Sequence, residues 1–372
     1  MKFKNKKKVI HLIYGLAIGG AETALLRLIP LLKENEIDSE VWYFTNDETQ
    51  LQNFLDKKIK MRRFRSTLVI PLFLFFKRNE VDWVISWMYR PSFICVLSKF
   101  INPKLKIALN IRRSMTDLKK MRFRARLSFI YAKILSRFFD ALIFNSKSGL
   151  KSHEIIGFKN ANTVLIPNSF ENFNEQEKIE IKKRGVENLK KLGIAKGTPV
   201  FVYAGRNHPH KNILMLFESI KLFFEKGLDA HFVVMGLGLG KEFSLDSYNL
   251  GEKISRVHLL GRIFDPKPWF SVAHGFLLTS ETEGFSNALG EAMSFGAVPI
   301  VTDVGDNGWL VNDQVGYLVE SNDSDHFANA LGQCVKLSVA EHENKSKNAA
   351  EVIAREFTYE KLVQSYLSVM QK

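Results

Sequence analysis

The chain has 372 residues, of which 46% are hydrophobic and 12% aromatic, and its 53 Lys and Arg against 39 Asp and Glu give a formal net charge of +14. At about 100–200 residues per domain this is material for two packed cores, and it excludes a disordered or low-complexity chain. Two cysteines, Cys95 and Cys334, sit in apolar helical stretches, which excludes a disulfide framework and reads as two buried thiols without metal-ligand spacing.

In chain order, a basic run at 2–8 leads into a short strand at 9–13 rather than a long apolar segment, so no secretory signal is expected. Next comes Ile13-Tyr14-Gly15-Leu16-Ala17-Ile18-Gly19-Gly20-Ala21-Glu22-Thr23, followed by a helical pattern through Leu32. Strand, glycine loop and helix is phosphate-binding grammar, although the glycines do not fall in the dinucleotide spacing. Glu22 reads first as an acid complementing the helix dipole. Further strands are expected at 40–44, 83–86, 106–110, 141–145 and 163–166, alternating with helical stretches, which implies a doubly wound parallel sheet. The longest apolar run, 68–76, is about half a bilayer span and contains Pro71. Residues 119–131 read as a basic amphipathic helix, which either lies on an anionic membrane or is a solvated basic face. The charge is uneven: residues 1–170 carry 31 Lys and Arg against 13 Asp and Glu, and the remainder 22 against 26. A basic first domain facing an anionic partner follows.

A charged, apolar-poor stretch at 171–191 reads as linker and surface helix. A second domain restarts with a strand at 199–206, ending in Gly205-Arg206. A short loop with His208 and His210 then leads to Lys211-Asn212 at a helix start, so two cations and a helix N-terminus meet at a strand's carboxyl end. Strands at 230–235 and 257–260 follow, with a glycine-rich turn at 236–240 between them. The apolar run 275–280 reads as a buried parallel strand. It places Glu283 on a strand-to-helix loop and Glu291 about two turns into the helix. Asp323-Ser324-Asp325 has metal-motif spacing but precedes a helix and reads as a cap.

The segment Ser280-Glu281-Thr282-Glu283-Gly284-Phe285-Ser286, with Glu291-Ala292-Met293, Gly296 and Pro299, resembles the signature of family 4 glycosyltransferases. Gly19-Gly20-Ala21-Glu22, Pro167-Asn168 and Gly205-Arg206 with Lys211-Asn212 are similar to the other conserved segments of that family, so the resemblance runs along the whole chain. It implies an α/β, GT-B architecture: two Rossmann-like doubly wound parallel-sheet domains facing across a cleft. Their expected bounds are 1–168 on the acceptor side and 169–356 on the nucleotide-sugar side, with a C-terminal helix in 357–372 packing back on the first. The implied reaction is retaining transfer of a hexose or N-acetylhexosamine from a UDP- or GDP-linked sugar, itself a substrate, with no metal and no cofactor. Arg206 and Lys211 would grip the pyrophosphate and Glu283 the sugar hydroxyls, these three being the catalytic set. Gly19, Gly20, Ile263, Gly284, Phe285, Ser286, Asn287 and the ribose-binding Glu291 would complete the donor site. A carboxylate suits hydroxyl recognition because it accepts paired, charge-assisted hydrogen bonds.

Where many relatives have an acceptor-side His, this chain reads Asn110-Ile111-Arg112-Arg113. Arginine stays protonated and cannot act as a base, but it can bind an anionic acceptor, so Arg112 and Arg113 are the acceptor-side candidates. The expected partners are a nucleotide-sugar, a lipid-linked glycan acceptor in surface polysaccharide synthesis (O-antigen, capsule or lipopolysaccharide) and an anionic membrane surface met by the basic first domain. The expected location is cytoplasmic, peripheral on the inner face of the plasma membrane. A non-catalytic GT-B protein that only binds nucleotide-sugar is the alternative. Nucleic acid is not an expected partner, because no recognised motif accompanies the pI of about 9.5.

Overall fold

The computed structural model describes residues 7–17, 19–67, 69–115 and 122–371. The chain divides into two compact units, Met1–Asn168 with Tyr359–Lys372, and Ser169–Thr358.

The first unit contains β1 (Lys7–Leu12), α1 (Gly20–Glu34), β2 (Ile37–Tyr43), α2 (Leu51–Asp56), β3 (Lys60–Arg63), α3 (Val69–Phe76) and β4 (Trp83–Trp87). It continues with α4 (Ser92–Ile101), β5 (Lys106–Ile111), α5 (Phe123–Leu135), β6 (Ala141–Phe144), α6 (Lys147–Ile156) and β7 (Thr163–Leu165). Its seven strands are ordered β3-β2-β1-β4-β5-β6-β7, and every described pairing is parallel. The helices cover both faces, so successive residues of the central strand enter different cores: Val9 packs with the α1 side chains and Ile10 with those of α3, α4 and α5. Pro71 is tolerated in α3 because it lies in the first turn, where its missing N–H has no intrahelical partner to lose. The edge strand β3 was not expected from sequence. It reads Lys-Met-Arg-Arg and is mostly exposed, so it lacks the apolar pattern that marks inner strands.

The second unit contains α7 (Glu175–Lys191), β8 (Val200–Ala204), α8 (Ile213–Glu225), β9 (His231–Met235), β10 (Val257–Gly261), α9 (Lys267–Phe270) and β11 (Gly275–Leu278). It closes with α10 (Asn287–Ser294), β12 (Val298–Thr302), α11 (Asn307–Leu310), β13 (Tyr317–Val319), α12 (Ser324–Lys336) and α13 (Val339–Glu356). Its parallel sheet is ordered β10-β9-β8-β11-β12-β13. Phe201 and Tyr203 of β8 face a core with α8 and α12, and Val200 and Val202 face one with α10 and α13. Asp323 caps α12 by accepting from the His326 N–H at 2.8 Å. The final helix, α14 (Tyr359–Gln371), packs Val363, Tyr366, Leu367 and Met370 into the α1 core of the first unit. Two Rossmann-like parallel-sheet units are therefore present.

Candidate active site

In an open parallel sheet, ligands bind beyond the carboxyl ends of the strands, at the point where strand order reverses. In the second unit that point lies between β8 and β11, which are neighbours in the sheet although two strands separate them in sequence. The loop after β8 carries Arg206 and Lys211, and the loop after β11 carries Glu283, Gly284, Phe285 and Ser286. The topology thus brings together a cation, Lys211, and a carboxylate, Glu283, that lie 72 residues apart in sequence.

Lys211 Nζ donates to Glu283 Oε1 in a short ion pair, and the Ser280 hydroxyl donates to the same oxygen at 2.7 Å. Both loops are tied to each other through the backbone. The Glu281 N–H donates to the His210 carbonyl at 2.9 Å, and the Thr279 hydroxyl to the Lys211 carbonyl at 3.1 Å. Gly305, at φ +62°, presses on the loop from the other side. A Cβ there would stand 2.5 Å from the Glu283 carbonyl oxygen, so only glycine fits. Close to Glu283 lies the Tyr203 hydroxyl, buried and without a hydrogen-bond partner. Burial first, and then the Glu283 charge, push its pKa far above the ordinary phenol value.

The other predicted donor residues are placed unequally. Arg206 is exposed just past β8. Burial first, and then the charges of His210, Arg206 and Lys211, lower the pKa of His208. Glu291 is the fifth residue of α10, a little over one turn in rather than two, because the helix starts only at Asn287. Ser286 caps that helix, its hydroxyl accepting from the Leu289 N–H at 3.4 Å. Phe285 belongs to the same loop as Gly284 and Ser286. Its ring is buried against Trp309 and Phe357, so only its backbone is left to face a ligand. Ile263 packs partly on the same core.

Gly19, Gly20, Arg112 and Arg113 belong to the first unit. Gly19 is the extended cap residue of α1 and Gly20 its first residue, while Ile18 of the same loop lies outside the described residues. Arg112 follows β5. Its guanidinium bonds Asn168 Oδ1 and lies 5.5 Å from the centre of the Trp87 ring. Its Nε, with Asn110 Oδ1 and Asn145 Oδ1, is buried without a partner. Burial lowers its pKa. Arg113 is exposed. His11 is the fifth of six β1 residues. It is fully buried, its Nδ1 accepts from Trp87 Nε1 at 3.1 Å, and burial takes its pKa down to about 3.

One histidine–cysteine group that spacing did not reveal comes together among the described residues: His274, Cys334 and His342, with ligand atoms within 4.8 Å of one another. The two imidazoles stack 3.9 Å apart at 15°, and their Nε2 atoms bond the Cys334 and His274 carbonyls at 3.1 and 2.8 Å. Parallel rings hold their lone pairs in separate planes, so one ion cannot lie in both. The group is also at the amino end of β11, away from Glu283.

The family described as Glycosyl transferases group 1 matches residues 198–336, which include Arg206, Lys211, Glu283 and Glu291. A UDP-Gal:alpha-D-GlcNAc-diphosphoundecaprenol alpha-1,3-galactosyltransferase of Escherichia coli is 36% identical over 147 residues, covering 38% of this chain and 37% of that protein. An N-acetylgalactosamine-N,N'-diacetylbacillosaminyl-diphospho-undecaprenol 4-alpha-N-acetylgalactosaminyltransferase of Campylobacter jejuni is 23% identical over 96% of this chain and 98% of its own length. The crystal structure of Anabaena HepE in complex with UDP superposes with a TM-score of 0.82 at 17% identity, covering 98% of this chain and 99% of HepE, a likeness of fold. Residues 198–336 of the second unit thus match the glycosyl transferases group 1 model, in a chain of GT-B architecture.

Proposed function

We propose that the chain is a metal-independent retaining glycosyltransferase that moves a hexose or N-acetylhexosamine from a UDP- or GDP-sugar to a lipid-linked glycan acceptor. The observation that carries this reading is the Lys211–Glu283 pair at the strand-order reversal of the second unit. Without a donor the two charges neutralise each other. With a donor, Lys211 and Arg206 turn to the diphosphate and Glu283 to the sugar hydroxyls. The cations then stabilise the charge that develops on the leaving nucleotide, the task a divalent metal would otherwise have. The departing phosphate takes the acceptor proton on the face it leaves, which retains the anomeric configuration. Glu291 anchors the ribose, and Gly284, Ser286, Asn287 and the Phe285 backbone line the start of α10. Gly19 and Gly20 offer α1 backbone N–H groups to phosphate.

Arg112 is the better acceptor-side candidate of the two arginines. No carboxylate among the described residues pairs with it, and the unmet polar atoms of Asn110 and Asn145 lie near the same strand ends. The relatives named for diphosphoundecaprenol substrates support a diphospholipid acceptor, and in the proposed reaction the chain meets it at an anionic membrane surface, on the cytoplasmic side. No described helix is long and apolar enough to cross a membrane. The reading is tested by nucleotide release from a panel of UDP- and GDP-sugars with a polyprenyl-diphosphate-linked sugar as acceptor. Turnover lost in Lys211→Ala supports it. Donor binding without turnover with any acceptor would favour the non-catalytic alternative.

A further inference from the structure

Helices α3, α4 and α5 lie side by side on one face of the first unit's sheet, α3 against α4 and α4 against α5. Their inner sides, such as Leu74, Ile94 and Phe129, share one core. Their outer sides are apolar as well. On α5, Phe123, Leu127, Ile130 and Ile134 are exposed at spacings of four, three and four, a single stripe on the side opposite Ser128, Phe129 and Ala132. The exposed Val69, Leu72 and Phe76 of α3 have spacings of three and four, and Phe93 and Phe100 of α4 a spacing of seven. Phe93 meets Tyr131 of α5 at 6.3 Å, and Phe100 meets Phe138 just beyond it at 5.5 Å, which joins the α4 and α5 stripes, while α3 flanks them by packing on α4. Phe76, Phe100 and Phe123 are 75%, 65% and 79% exposed. A contiguous apolar facet of this kind marks an interaction surface.

The charge around the facet selects the partner. Residues 69–78, 92–104 and 122–137 contain nine Lys and Arg and no Asp or Glu. A second copy of the facet would set like charge against like charge. An anionic bilayer offers acyl chains to the stripes and headgroup phosphates to the cations flanking them. The sequence alone allowed a solvated basic helix at 119–131. The structure puts an apolar ridge on the solvent side of its described part, while Lys119–Met121 lie outside the described residues.

We propose that the α3–α4–α5 facet docks on an anionic membrane by insertion, with Phe76, Phe100 and Phe123 entering the boundary between headgroups and acyl chains. This gives the lipid-linked acceptor a place to be met, so its purpose rests on the proposed function, but its test does not. The intact protein is sedimented with vesicles of phosphatidylcholine, with and without about one third phosphatidylglycerol, at low and high salt. The wild type should bind the anionic vesicles at low salt and keep a salt-resistant fraction. Phe76→Ser/Phe100→Ser/Phe123→Ser should lower partitioning about tenfold or more, with an unchanged melting temperature because all three side chains are exposed. Phe123→Ser alone should give a smaller loss in the same direction. Arg122→Glu/Arg124→Glu/Arg126→Glu should remove the salt-sensitive part only. Equal partitioning of the triple serine variant would overturn the proposal. So would a wild-type dimer in solution that the serine variant dissolves and vesicles do not displace. Nucleotide-sugar binding measured without vesicles reports on the second unit separately, so the two readings can fail independently.

Discussion

Replacing Glu283 with Gln separates the two roles given to that side chain. The substitution keeps size and shape, leaves an acceptor for the Ser280 hydroxyl, and removes the charge that Lys211 meets. A hydrogen bond to a charged group contributes ~1.5–3 kcal/mol and a neutral one ~0.5–1.5, so the loss is ~1–2 kcal/mol. The Lys211 side chain is 23% exposed, which lets water recover part of its solvation and keeps the cost at the lower end of what buried pairs show. At ~2–4 °C per kcal/mol for a unit of this size, melting should fall by about 2–8 °C. The effect on ligands should be opposite in sign for the nucleotide and the sugar. Without Glu283, Lys211 is free for phosphate and a nearby negative charge is gone, so UDP or GDP should bind as well as before or more tightly. Turnover should fall by roughly 10²–10³-fold, the scale for losing one group aimed at the transition state. The assay is calorimetric titration with the free nucleotide beside nucleotide release from the nucleotide-sugar. Unchanged turnover would refute the reasoning, as would a parallel loss of nucleotide affinity and turnover, which would make Glu283 a mere support of its loop.

Other consequences can be measured on the same protein. Tyr203→Phe removes a buried hydroxyl that has no partner, so ligand-free stability should stay level or rise by up to ~1 kcal/mol in chemical denaturation; a clear loss would mean that the hydroxyl is bonded. Gly305→Ala should cost ~1–3 kcal/mol and weaken donor binding, because the added Cβ meets the Glu283 carbonyl in a left-handed backbone; a wild-type melt and affinity would contradict this. Burial lowers the pKa of His11 to about 3 and of His153 and His274 to about 4, from the ordinary 6.5. The unfolded chain takes up these protons first, so the stability is present above pH 6.5 and lost as pH falls toward 4, by up to ~1.4 kcal/mol per pH unit for each group. Melting followed from pH 7 to 4 should show that decline, and a flat profile would count against it.

The parallel α/β class was legible because inner strands such as β4 and β11 are apolar on both faces, and a continuous apolar run survives without knowledge of neighbours. The edge strand β3 was not, since it is mostly exposed and carries no apolar pattern. Proximity of Lys211 to Glu283 could be anticipated from the resemblance but not from spacing; sheet order creates it. For Phe285 the sequence named the loop but not the direction of the ring, which packing turns into the core. The α5 facet was half visible: its cations read as one amphipathic face, whereas the helix is apolar on its inner and outer sides, and only packing tells which is which. Tyr203 gave no signal at all, because an orphaned hydroxyl exists only in three dimensions.

The central claim is that the β8–β11 site of the second unit drives sugar transfer with retention. Proton NMR of the product formed from an α-linked nucleotide-sugar and a diphospholipid-linked acceptor tests it most directly. An α-anomeric product whose formation is lost in Lys211→Ala is the predicted result. A β-anomeric product, or an undiminished yield from the variant, would contradict the account.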